Sequence, residues 1–322
     1  MHVNSTEFFK IRKSPIPIFF IDTFALISYA KNDDIRIIEL LDVAAEKVKQ
    51  GKLICPISDQ LEETDIKEYT NAKNKAVHAF YNIGFMSRRL IREKQFISSV
   101  NLYNDNKSSI VLSYEDAFSV NPINQINDII SDGLCICTNK VISEEIKEIE
   151  TQSITEMVKT FTNWKKNKGK LDFEKEMFEC TGFKYKNTLE IISRAHALNI
   201  NSNDYLAALD NEYFLFKKIF QNSTLSDYLN FIKSDYYKFM PSQYIAAHIL
   251  ANYFSKESEK PMGHGDPMDI NYISTYMPYC DFMLIDNNQV KVLKKFKLDE
   301  LFETKIFSLK IHSDLLTLLK SL

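Results

Sequence analysis

Apolar and polar positions divide the chain into two ends and a middle that differ in period. In the middle, apolar residues recur at three and four spacing through 142–161, 173–197, 205–220 and 225–239, with polar breaks at 201–203 and 221–223. That spacing predicts amphipathic helices. At the N-terminal end, 16–21 is a short continuous apolar run that predicts a buried strand, and 23–29 turns helical. Asp33 or Asp34 can cap a helix running to Gln50 with Gly51 as its stop, and a second strand is expected over 52–57, with Ser58 or Asp59 placed to cap a further helix. At the C-terminal end, Pro241 suits the first position of a helix over 242–254, and Asp266-Pro267 opens another. A strand over 280–285, a helix over 289–296, a strand over 305–309 and a helix over 314–319 complete the chain.

Strands that alternate with helices imply parallel neighbours joined by helical crossovers. The middle lacks strand signals, and no proline occurs between Pro122 and Pro241. The chain therefore reads as an α/β domain formed by residues 1–64 and 241–322, interrupted by an all-helical insertion over 65–240.

Composition narrows the chemistry. Only 7 glycines occur in 322 residues, far below the ~7% usual in proteins, which argues against low complexity. No GxGxxG, GxxxxGK, HExxH, GxSxG or CxxC occurs, so dinucleotide-binding turns, P-loops, zincins, α/β-hydrolases and zinc ribbons are not written in this sequence. With 43 acidic and 40 basic residues the net charge is −3, so no global basic field draws the chain to nucleic acid or an anionic membrane. Cys55, Cys135, Cys137, Cys180 and Cys280 are odd in number and scattered, the pattern of reduced thiols in a cytoplasmic protein. Lys10, Arg12 and Lys13 before the apolar stretch 16–30 superficially resemble a secretory signal, but Asp22 lies in its middle and the stretch is short of the ~20 residues that span a bilayer. No membrane partner is expected.

The strongest chemical signal is a set of carboxylates in otherwise uncharged segments. Between Ser14 and Ala30 the single charged residue is Asp22, directly after the first apolar run. Between Pro261 and Val290 stand Asp266, Asp269, Asp281 and Asp286, with no Lys or Arg. A carboxylate removed from water without a partner costs several kcal/mol, so such groups stay wet or bind cations. Ligand sites of open parallel sheets lie beyond the carboxyl ends of strands, where Asp22 and Asp286 are expected, with Glu62 and Glu63 after the second strand and Asp269 in the first turn of its helix. All-oxygen donors suit Mg²⁺ or Mn²⁺ better than Zn²⁺. A pair of such ions can polarise a phosphodiester and activate water, which makes phosphodiester hydrolysis the natural class.

Phe19-Phe20-Ile21-Asp22-Thr23, Glu63 after the second strand, Gly265-Asp266-Pro267-Met268-Asp269-Ile270 and Pro278-Tyr279-Cys280-Asp281-Phe282-Met283-Leu284-Ile285-Asp286 together resemble a PIN-like nuclease domain. The resemblance covers the two ends of the chain. It implies a three-layer fold with a mostly parallel central sheet, and a metal-dependent endoribonuclease that leaves a 5′-phosphate and a 3′-hydroxyl. It also implies that Asp22, Glu63, Asp269 and Asp286 form the catalytic, metal-binding cluster, with Asp266 and Asp281 as further metal candidates. Glu62 is the alternative second acid, and Leu284 stands where the family often carries a threonine. RNA is the expected substrate, with single-stranded DNA as an alternative. Thr23, His264, Arg88, Arg89 and Arg92 are the candidate substrate contacts.

Other readings attach to the same residues. Asp266 before Pro267 is a good helix cap, Asp269 would complete a capping-box-like pair, and Asp22 could cap the helix after it. Asn287 and Asn288 are better placed than Asp286 to cap the next helix. The lysines 165, 166, 168 and 170 around Trp164 read as a solvated face, and Tyr213, Phe214, Phe216 and Phe220 as helix core. At the level of function, the alternatives are a catalytically inactive PIN-like module that binds nucleic acid or protein, and a haloacid-dehalogenase-like phosphatase. The latter would want DxD where Asp22 is followed by Thr23-Phe24. The helical insertion could recruit a second copy or a regulatory protein.

Overall fold

The computed structural model describes residues 4–56, 84–85, 87–119, 144–168, 171–256, 262–263 and 265–322. In chain order, α1 (Ser5–Phe8) runs into β1 (Phe9–Arg12), followed by β2 (Phe19–Ile21), α2 (Thr23–Lys31) and α3 (Ile35–Lys49). Next come β3 (Gly84–Phe85), α4 (Arg88–Asn104), β4 (Ile110–Ser113) and β5 (Phe118–Ser119). Helices then dominate: α5 (Glu144–Lys168), α6 (Phe173–Ala197), α7 (Ser202–Leu209), α8 (Asn211–Ile219), α9 (Leu225–Lys233), α10 (Asp235–Lys238) and α11 (Pro241–Phe254). The chain ends with α12 (Asp266–Tyr276), β6 (Phe282–Leu284), α13 (Asn287–Lys295), α14 (Leu298–Leu301), β7 (Lys305–Phe307) and α15 (His312–Ser321).

The elements group into two compact units, each drawn from three stretches of sequence. An α/β unit comprises Ile11–Leu90, Ser113–Lys159 and His264–Leu322, and a helical unit comprises Met1–Lys10, Ile91–Leu112 and Thr160–Gly263. These divisions do not coincide with boundaries at residues 64 and 240. In particular, α11 packs along α6 and so belongs with the helices that precede it.

Three strands build the sheet of the α/β unit in the order β2-β6-β7, all parallel, with Phe19 opposite Phe282 and Phe282 opposite Lys305. Ile54 adds a parallel bridge to Ile18 on the outer side of β2, held by Phe19 N–H to Ile54 O at 2.8 Å and Ile54 N–H to Pro17 O at 2.9 Å. The strand expected over 52–57 is thus reduced to this bridge in its described part. Side chains alternate across the sheet: Phe19, Ile21, Phe282, Leu284 and Phe307 join a core with α2, α3 and α15, while Phe20 meets Tyr276 of α12 at a ring separation of 5.6 Å. β2 and β6 are buried on both faces, which is why each reads as an uninterrupted apolar run, whereas β7 begins with the exposed Lys305.

Local chemistry sets the boundaries. Asp34 caps α3 by accepting from Arg36 N–H at 2.9 Å, and Gly51 at φ +69° ends the segment in the left-handed region that favours glycine. The helix expected over 205–220 is two helices, because Asp210 adopts an extended conformation (φ −126°, ψ 97°) and caps α8. Ser234 (φ −69°, ψ 160°) likewise divides 225–239 into α9 and α10. Tyr213 and Phe216 are core as expected, whereas Phe214 is exposed. Among the described residues no helix is long and apolar enough to cross a membrane. Cys135 and Cys137 lie outside the described residues, and Cys55 and Cys280 are buried thiols.

Candidate functional site at the carboxyl edge of the sheet

Asp22 follows the last residue of β2 and Asp286 stands two residues beyond the end of β6. Ile21 and Leu284 are register partners, and Asp22 N–H donates to Leu284 O at 3.1 Å. Two acids from opposite ends of the sequence are thereby carried to the same edge of neighbouring strands, which run ~4.8 Å apart. The chain leaves β2 toward Ile54 on one side, while β6 and β7 extend on the other. The strand order therefore reverses at β2, and the crevice outside the carboxyl ends at such a reversal is where open α/β sheets bind ligands.

The two acids are held differently. Asp22 is 8% exposed and occupies the N-cap position of α2, where its backbone carbonyl accepts from Ala25 and Leu26 while its side chain makes no capping bond. Thr23 beside it is buried at the first position of α2. Asp286 is exposed and is itself the cap of α13, its Oδ1 accepting from Asn288 N–H at 2.7 Å. This corrects the expectation that Asn287 or Asn288 fills that role. Ser308, directly after β7 and buried, donates to Asn287 Oδ1 at 3.3 Å, which ties the third strand's end to the same edge. No sequence signal singled out Ser308.

Helix α12 contributes Asp266 and Asp269 in its first turn. Its C-terminal end leads through the turn Met277–Tyr279 to the beginning of β6. Asp266 is not the cap: Gly265 occupies that position, Asp266 is the first helical residue and 8% exposed, and no side-chain capping bond forms. Asp269 is half-buried, and its N–H donates to Gly265 O at 3.1 Å. Three residues after Asp269, the Tyr272 ring carries the Arg88 guanidinium 4.3 Å from its centroid, a cation–π contact that brings one predicted basic residue to this helix. Arg89 is exposed on the same turn of α4 as Arg88. Arg92 falls in the helical unit, where its charge acts on Tyr237. Glu62, Glu63 and His264 lie outside the described residues.

Asp281 belongs to the opposite edge. It precedes β6, its Oδ2 accepts from Ile18 N–H at 2.8 Å, and its backbone carbonyl accepts from Lys305 N–H at 2.8 Å. Burial raises its pKa, opposed by the Ile18 hydrogen bond and the nearby Lys13 ammonium. Lys13 in turn is lowered by burial and bonds Cys280 O and Thr304 Oγ1. This acid closes the amino ends of the strands and is not brought together with Asp22 and Asp286.

Among the described residues, no three His, Cys, Asp or Glu side chains converge closely enough to hold a metal ion. No family model matches this sequence, nor does any curated protein or solved structure.

Proposed function

We propose that the α/β unit is a three-layer PIN-like nuclease domain that hydrolyses RNA phosphodiester bonds at the carboxyl edge of its sheet, with Mg²⁺ or Mn²⁺ as the cofactor. The observation that carries this reading is the Asp22 N–H to Leu284 O bond, which brings Asp22 and Asp286 to adjacent strand ends where the strand order reverses. The acidic first turn of α12 supports it. In this reading Asp286, whose Oδ2 lies outside its capping bond, is the carboxylate that accepts a proton from attacking water, and Asp22 and Asp269 orient the reacting groups. Arg88, fixed over Tyr272, is the contact for the substrate's phosphate backbone.

The test is cleavage of single-stranded RNA and DNA with Mn²⁺, Mg²⁺ or EDTA, comparing wild type with Asp22→Asn and Asp286→Asn. Asn is as good a cap as Asp, so Asp286→Asn leaves the start of α13 intact. Each substitution is expected to lower a chelator-sensitive activity by ~100-fold or more, the scale of removing one preorganised polar group from a reaction centre. Activity persisting in both variants ends the assignment. The engagement of Asp286 Oδ1 as a helix cap favours a second reading, a PIN-like module that binds RNA without cutting it. Binding without turnover is its signature.

A further inference from the structure

The helical unit contains a cavity of about 270 Å³, close to the ~300 Å³ at which pockets for small organic ligands begin and room for about nine waters. Phe161, Trp164, Phe183, Glu212, Lys238 and Gln243 are among the residues that line it. Trp164 is fixed by stacking on Phe254 (4.9 Å between centroids, 7° between planes) and Phe183 (5.2 Å, 28°).

Beside the cavity lies a charge network in which Asp210 is buried and Lys184 and Glu212 are partly buried. Lys184 Nζ donates to Asp210 Oδ1 at 2.8 Å and pairs with Glu212 Oε2 at 2.9 Å. Tyr228 OH donates to Asp210 Oδ2 at 2.9 Å and Tyr237 OH to Glu212 Oε2 at 3.0 Å. Asp210 is thus fully engaged, whereas Glu212 is bonded through Oε2 and keeps Oε1 as an acceptor. Lys238 forms no ion pair, and the Gln243 carboxamide no hydrogen bond, among the described residues.

Charge decides what fits. Of the charged residues that line the cavity, Lys184 is already paired with Asp210 and Glu212, Lys238 opposes an organic cation and Glu212 opposes an anion, so a neutral ring fits best. A plain hydrocarbon would desolvate Glu212 and Gln243 without returning hydrogen bonds. A carboxylate oxygen asks for N–H donors, and a carboxamide pairs with an adjacent donor and acceptor. Phe161, Trp164 and Phe183 supply aromatic side chains to the lining. We propose that this cavity binds a neutral planar heteroaromatic ring of the nucleobase class, its N–H edge meeting Glu212 and Gln243 and its body lying against these aromatic side chains.

Trp164 is the single tryptophan of the chain, so its emission reports this cavity directly. The full-length protein is titrated with the four ribonucleosides, their monophosphates and short single-stranded RNAs, with L-phenylalanine and indole as comparators, and binding is checked by calorimetry. A saturable emission change is expected with at least one base, weakened tenfold or more by Gln243→Leu, a residue outside the charge network. Lys238→Met should weaken the phosphate-bearing forms more than the nucleosides. Binding of nucleosides identifies a free small molecule as the source, and binding of oligonucleotides alone identifies a base presented by RNA. No saturable change with any base, or equal binding of indole that Gln243→Leu leaves untouched, overturns the proposal. The readout is independent of cleavage, so it stands or falls separately from the nuclease reading.

Discussion

Replacing Asp210 by alanine should be among the most damaging single changes in the helical unit. Asp210 is 6% exposed. Its Oδ1 accepts from Lys184, from Glu212 N–H at 3.1 Å and from Tyr213 N–H at 3.4 Å, and its Oδ2 takes the hydroxyl of the fully buried Tyr228. Losing the cap of α8 costs about 1 kcal/mol. Leaving the Tyr228 hydroxyl without an acceptor adds ~1–3 kcal/mol. Breaking a buried ion pair by removing one partner costs ~3–5 kcal/mol, reduced here because Lys184 keeps Glu212. These contributions share atoms and do not add, which leaves a net loss of ~3–4 kcal/mol. Asp210→Asn retains the cap and an acceptor for Tyr228, and should lose only ~1–2 kcal/mol. Urea unfolding followed by Trp164 emission measures both, and at ~2–3 kcal/mol per molar the alanine variant's midpoint should fall by about 1–2 M. A loss below ~1 kcal/mol for alanine, or equal losses for alanine and asparagine, would refute the view that this network ties α6, α8 and α9 together. The same groups set an alkaline limit. Burial works to lower the Lys184 pKa, but Glu212 and Asp210 outweigh it and hold it raised, while burial and these acids raise Tyr228 and Tyr237. All three are raised in the folded state, so their contribution is complete below about pH 10 and is lost as pH climbs above it.

His248 is lowered by burial, against an opposing bond to Tyr244 O. A base whose folded pKa is depressed lends full stability above its unfolded value of ~6.5 and loses it on acidification. The helical unit's urea midpoint should therefore fall between pH 7 and pH 5, and His248→Gln should flatten that dependence; an unchanged slope in the variant would assign it to other groups. Asp281→Ala strips Ile18 N–H of its acceptor and should cost ~2 kcal/mol, whereas Asp281→Asn should cost less than ~1 kcal/mol, and neither should alter the cation dependence of cleavage. A changed cation dependence would return Asp281 to the proposed metal site. Gly51→Ala meets no atom within 4 Å of the new Cβ but must hold φ +69°, so thermal melting should report a loss of ~1 kcal/mol from strain alone.

The carboxyl-edge acids were readable because a lone charge directly after an apolar run has few structural excuses, and a parallel strand buried on both faces leaves such a run. Asp22 and Asp286 stand where that logic puts them. Asp281 satisfied the same local rule and sits at the other edge, since its neighbour Lys13 comes from the far end of the chain and a local scan for counter-ions cannot find it. Asp266 is the first residue inside its helix and not the cap, a shift of one position that pattern does not resolve. The breaks at Asp210 and Ser234 escaped because two short helices in succession keep apolar residues at three and four spacing across the join. The Lys184–Asp210–Glu212 cluster escaped for the opposite reason: Lys184 lies on α6 and the two acids at the start of α8, and each alone looks like an ordinary surface charge.

The central strand β6 has a bearing on how the chain is made. Its partner β2 lies 263 residues earlier, and closing a flexible loop of that length costs about 5 kcal/mol of chain entropy. During synthesis Phe19-Phe20-Ile21 must wait beyond the ribosome until Phe282-Met283-Leu284 emerges. Helices that form meanwhile shorten the effective tether, so their early collapse is a kinetic aid to joining the two termini. A ribosome stalled before residue 282 would hold an unpaired, wholly apolar strand, the kind of nascent segment that chaperones capture.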